Sequence, residues 1–184
     1  MEGIYRIRGG GQDLVESFVA APGPAGWRYF GRIHAPDSEE ELSTVDFVVD
    51  TDWALVRYRE RHRQHGEVVV VRGPTGLEAT WIAGESEATA HAPDAQIVWS
   101  SSPCSRLVAE RRARAVKMSA LPGLGIALPE EPRPVSISLD RMGFEAANGR
   151  RAERIHLQLD GASITALVRE DLPIFAEGWF ELIR

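Results

Sequence analysis

Apolar and polar residues alternate with a period of two along most of this chain. Val135, Ile137 and Leu139 fall on one side of an extended segment, and Ser136, Ser138 and Asp140 on the other. Trp27, Tyr29, Gly31 and Ile33 repeat the pattern, as do Ile155–Leu159 and Ser163–Arg169. Such alternation is the mark of a strand with one buried face. Val68–Val71 is a continuous valine run and reads as a buried strand. Turn chemistry separates the runs: Pro22-Gly23-Pro24-Ala25-Gly26, Gln64-His65-Gly66, Gly73-Pro74-Thr75-Gly76, Asn148-Gly149 and Asp160-Gly161. Leu14–Ala20, Val45–Val49, Trp53–His62, Leu77–Ile82 and Gln96–Ser100 complete a set of nine to eleven strands.

The connections are short and no strand–helix–strand rhythm occurs, so a parallel sheet is not expected. The reading is mainly β: an antiparallel, barrel-like or strongly curved sheet, with one short helix or irregular segment in the middle. Curvature is the natural way to bury so many strands and shield their edges. Ser105–Ala120 predicts the helix, with Ser105 as N-cap and Leu121-Pro122-Gly123 as its stop. A pair of strands is the rival for that segment. Pro129–Pro134 reads as an extended connector. Residues 1–184 form one β-rich domain, with two β sub-domains joined near 120–134 as the alternative.

One strand resists the simple pattern. Trp53–His62 places Trp53, Leu55, Arg57, Arg59 and Arg61 on one face and Ala54, Val56, Tyr58, Glu60 and His62 on the other. Either the strand runs out into solvent, or it walls a cavity that is apolar below and charged at its rim. The cavity reading makes Trp53 and Arg57 ligand contacts.

Charge and composition narrow the function. The net charge of −6 argues against a nucleic-acid surface. Lys117 is the only lysine, so positive charge is almost wholly arginine. Cys104 is the only cysteine, which rules out an intrachain disulfide and a cysteine-based zinc site. No apolar run reaches the ~18 residues of a membrane span. The first residues lack a signal-peptide core, so a cytoplasmic location is expected. The five histidines form no metal-binding pattern, and neither glycine cluster is a phosphate loop. No metal or cofactor is expected.

Five tryptophans lie on or near strands: Trp27, Trp53, Trp81, Trp99 and Trp179. Core packing is the ordinary fate of such residues. The functional reading gives Trp53, Trp81 and Trp99 as cavity walls and Arg57 and Arg106 as the cations for a polar head. Glu16, on an early strand, Asp50, His34 and His156 are the candidate acid/base groups, if buried beside a cavity. Phe175, Trp179 and Phe180 are a candidate homodimer patch.

Several motifs occur in an order that resembles a bacterial glycolipid-binding family. They are Asp13-Leu14-Val15-Glu16, Gly26-Trp27-Arg28-Tyr29-Phe30-Gly31, Phe47 through Trp53, Gly76 through Gly84, Ser102-Pro103-Cys104-Ser105-Arg106-Leu107, and Glu177-Gly178-Trp179-Phe180. The chain looks like a divergent member, with Arg106 where that family has asparagine. The resemblance implies a barrel-like β fold with an apolar cavity and a lipid- or glycolipid-like ligand. It adds Glu16 to the expected ligand-binding set of Glu16, Trp53, Arg57, Trp81, Trp99 and Arg106. The expected function is thus a binding protein for a hydrophobic or amphiphilic small molecule. The alternative is a metal-independent isomerase, cyclase or hydrolase.

Overall fold

The computed structural model describes residues 1–8, 13–128, 130–147, 150–159, 162–169 and 172–183. The predicted turns at Asn148-Gly149 and Asp160-Gly161 lie outside the described residues, as does Gly9-Gly10-Gly11. The chain is mainly β, as expected. Eight strands come first: β1 (Glu2–Ile7), β2 (Leu14–Gly23), β3 (Gly26–His34), β4 (Glu41–Val49), β5 (Leu55–His62), β6 (Gly66–Arg72), β7 (Gly76–Ala83) and β8 (Ser86–Pro93). Then β9 (Ile97–Trp99) leads into the helix α1 (Cys104–Val116). The rest is β10 (Ala120–Gly125), β11 (Arg133–Ala147), β12 (Arg150–Leu159), β13 (Ala162–Arg169), β14 (Leu172–Ala176) and β15 (Phe180–Leu182).

The fifteen strands among the described residues belong to one sheet, in the order β8-β7-β6-β5-β4-β3-β2-β1-β15-β14-β13-β12-β11-β10-β9. Every pairing is antiparallel except β9 with β10. Among the described residues the ladder does not close into a ring. Nevertheless, only residues 94–96 link the two edge strands, β8 and β9. That link spans at most about 14 Å when fully extended, so the sheet must curl until its edges approach. The Leu55 amide reaches the Gln96 carbonyl in this link.

The concave face is the core. Tyr5, Phe18, Tyr29, Phe47, Val68, Leu77, Ile137, Ile155 and Ile164 all belong to one buried cluster. Residues 104–110 of α1 are buried without exception, so the first half of the helix is enclosed by the sheet. Helical periodicity is invisible in a segment buried all round, which is why a strand pair could rival it. The helix begins after Pro103 with no side-chain cap. Ser105, expected as the cap, instead donates to the Ser100 and Ser102 carbonyls. Lys117, in the left-handed conformation, ends the helix.

Three local expectations need correction. Leu121-Pro122-Gly123 does not only stop the helix: it lies inside β10, where Gly123 is so close to Ile97 that a Cβ would crowd its carbonyl. The valine run is buried on one face only, with Val68 and Val70 inside and Val71 exposed. The assumed faces of Trp53–His62 are also wrong. Asp50 accepts the Asp52 and Ala54 amides through Oδ1, making a tight turn in which Trp53 adopts φ 60°. The strand starts only at Leu55. Val49 pairs with Leu55 while Val48 pairs with Arg57, so Val56 is an extra residue. Such a bulge flips the side-chain phase. Leu55, Tyr58 and Glu60 therefore face inward, and Arg57, Arg59 and Arg61 face outward. The mixed tryptophan–arginine face does not exist.

Candidate functional site

Two carboxyl groups stand on the concave face where the alternation calls for apolar residues. Glu16 occupies the inward register of β2 with Phe18 and Ala20, and Glu60 that of β5 with Tyr58. Glu16 is wholly buried. Its Oε1 accepts from the Tyr29 hydroxyl at 2.6 Å and from the Ser102 hydroxyl at 2.9 Å, while Oε2 has no partner. Gly31 makes the room, since a Cβ there would collide with the carboxylate. Burial pushes Glu16 up to about 7, opposed by its two hydrogen bonds and, more weakly, by the Arg106 charge, while Glu60 adds to the rise. Glu60 accepts from the Tyr58 hydroxyl and is also pushed up by burial to about 7. An isolated buried carboxylate prefers its neutral form.

Across the interior lies Arg106, in the first turn of α1, 1% exposed. Its Nη1 donates to the Ser100 carbonyl at 2.6 Å, the Ser102 carbonyl at 2.7 Å and the Ser105 hydroxyl at 3.0 Å. Its guanidinium carbon lies 4.6 Å from the Trp99 ring centre and 5.5 Å from that of Trp179. Burial lowers its pKa to about 10, which leaves it charged at neutral pH. No ion pair to Arg106 occurs among the described residues, and its Nε has no acceptor. Ser102 links the two halves of the interior: its hydroxyl binds Glu16 and its carbonyl binds Arg106. Cys104, next to it, is buried, and desolvation raises its thiol well above the ordinary value. That makes it a packing residue rather than a nucleophile.

Arg106 lines a cleft of about 260 Å³ together with Trp99, Ile126, Val135, Leu159 and Trp179. Exposed Glu130, Glu131 and Arg133 stand along it. A larger depression, about 640 Å³, lies against Val19, Phe30 and Arg32 on the outer face of β2 and β3. It touches none of the buried polar groups, so the smaller cleft is the chemically distinctive one.

Of the expected ligand-binding residues, the fold brings Glu16, Trp99 and Arg106 into one connected interior. Arg57 is elsewhere, on the outer face, where its Nη2 binds Asp46 Oδ2 at 2.6 Å. Trp53 packs on Trp27 with ring centres 5.3 Å apart. Trp81, half-buried on β7 opposite Val68, has no partner for its Nε1. His156 sits outside the polar interior beside Thr165, and His34 binds the neighbouring Ala35 carbonyl. Asp50 is a turn residue. Of the three aromatics proposed as a dimer patch, Phe180 is in the core and Trp179 covers Arg106, leaving Phe175 exposed. Among the described residues no three histidine, cysteine, aspartate or glutamate side chains converge on a metal-sized site. No described helix is long and apolar enough to cross a membrane.

Sequence reasoning missed Tyr29, Tyr58, Glu60, Ser102 and Trp179 as parts of the polar interior. Tyr58-x-Glu60 carried a usable signal, since both share a register that pairs with Val68 and Val70. Ser102 carried none, because nothing local ties a loop hydroxyl to a carboxylate 86 positions earlier. Comparison with family models, with curated proteins and with solved structures gives no match for this chain.

Proposed function

We propose that this protein binds a hydrophobic or amphiphilic small molecule, lipid- or glycolipid-like in its division between a polar head and an apolar body. The head meets Arg106, and the body lies on Trp99, Trp179, Ile126 and Val135. The observation that carries this reading is the state of Arg106. A guanidinium withdrawn from water is normally paired with a carboxylate. This one is held by carbonyl oxygens, packed on two indoles and placed along a cleft. A polar ligand head supplies the missing acceptor. Native mass spectrometry of freshly purified protein, followed by denaturing extraction, tests the proposal. A stoichiometric, extractable amphiphile is expected. Absence of such a mass, together with unchanged tryptophan emission across a panel of amphiphiles, overturns it.

A second reading rests on Glu16 and Glu60. Both carboxylates are held near neutrality, each beside a tyrosine hydroxyl, and acid/base catalysis works best with such groups. The same extraction separates the two readings. A ligand recovered unchanged from wild type and from Glu16→Gln supports binding alone. A transformed ligand from wild type, and the untransformed one from Glu16→Gln, supports turnover.

A further inference from the structure

We propose that the molecule held at this cleft is a monocarboxylate with one short apolar body of about ten non-hydrogen atoms. This rests on the binding reading and specifies the ligand's head and size.

The head follows from which guanidinium donors are already used. Arginine offers five N–H donors in a planar fork. At Arg106 the Nη1 end is consumed by Ser100, Ser102 and Ser105. On the opposite edge Nε has no acceptor, and among the described residues the hydrogen bonds of the guanidinium all leave from Nη1. That edge, two parallel N–H groups in one plane, matches the two oxygens of a carboxylate. A phosphate monoester would bring nearly two negative charges to a single buried cation, beside the carboxylates of Glu130 and Glu131. A sugar brings no charge and leaves the guanidinium with no ion-pair partner closer than the through-space attraction of Glu16.

The size follows from the cleft. Its volume of about 260 Å³ falls just under the ~300–1,000 Å³ usual for drug-sized ligands. At the ~30 Å³ that one water takes in the liquid, it holds about nine water-sized units. One short chain or one aromatic ring with its carboxylate fills it. A two-chain lipid does not.

The test compares octanoate, hexadecanoate, octyl phosphate and octyl glucoside by isothermal titration, with intrinsic tryptophan emission as a second readout. Octanoate is expected to bind at least tenfold tighter than octyl phosphate or octyl glucoside. Hexadecanoate is expected to gain less than tenfold over octanoate, because its added methylenes stay in water. Arg106→Lys keeps the charge but removes the fork, and is expected to weaken octanoate binding at least tenfold. Trp179→Leu serves as a second variant should Arg106→Lys fail to fold, with the same loss expected. Arg57→Ala is the control and leaves binding unchanged. Tighter binding of the phosphate or the glucoside overturns the carboxylate head while the amphiphile reading stands. A hundredfold gain by hexadecanoate overturns the size. If none of the four binds and no mass is retained on purification, the binding reading itself fails.

Discussion

Arg57 and Arg106 are the same residue type in opposite circumstances. Arg57 stands on the outer face of β5, half exposed, with Asp46 clamped between it and Arg28. Its charge is answered by a carboxylate and by water. Arg106 stands inside the curve of the sheet, hydrogen-bonded to carbonyl and hydroxyl oxygens, packed on two indoles and with the Glu16 carboxyl near enough to act on it through space but not in an ion pair. Coulomb forces are screened at the first place and strong at the second. A cation becomes a candidate site through what surrounds it. Here a one-residue bulge sends Arg57 outward, and an enclosed helix carries Arg106 inward.

The comparison can be broken most directly by truncating each arginine. Arg106→Ala orphans two buried carbonyl oxygens at ~1–3 kcal/mol each and removes packing against two indoles, so a loss of roughly 3–5 kcal/mol is expected. Urea denaturation measures it. A loss below about 1 kcal/mol would place Arg106 on the same footing as Arg57.

The buried carboxylates of the concave face give the next effect. Glu16 and Glu60 are held at about 7 in the fold, against an ordinary value of 4.5. Between these values the folded protein binds more protons than the unfolded chain, so stability falls as pH rises. The contribution is complete below about 4.5 and lost as pH passes 7. It amounts to roughly 3 kcal/mol per group at most. Unfolding midpoints measured from pH 5 to 8 should decline, and Glu16→Gln should flatten part of that decline. An identical slope in the variant would show that Glu16 is ionised throughout.

Gly31→Ala sharpens the contrast between wedged and free charges. The added methyl meets the Glu16 carboxylate, and a loss of about 1–3 kcal/mol is expected from overpacking. Unaltered stability would mean that the carboxylate has room to move. The smallest effect belongs to Arg57→Ala. An exposed ion pair contributes under about 1 kcal/mol, and Asp46 keeps Arg28. Denaturation in low and high salt should show a slight loss that salt abolishes.

Much of the fold was legible along the chain. Antiparallel β structure followed from alternation, glycine-rich turns and the lack of helical crossovers. β1 escaped notice because it is short, and β8 because its residues are polar or small with Ala92 alone fully buried. β10 was hidden by Pro122-Gly123, which locally signals a break and in the fold allows close approach to β9. The site was legible in part. Trp99, Arg106 and Glu16 stand out by residue type, as large aromatic or ionisable groups on or beside expected strands. Their connection does not, since Ser102 joins Glu16 to Arg106 only after β2 and α1 have met inside the sheet.

The sequence by itself determined a single-lysine, single-cysteine, strand-rich chain with one helix-forming segment, because these are matters of composition and local period. Only the tertiary structure decided which arginine is buried and which carboxylates lose their water. Burial depends on strand phase and on sheet curvature. One bulged residue at Val56 reverses the first, and the short link between β8 and β9 enforces the second.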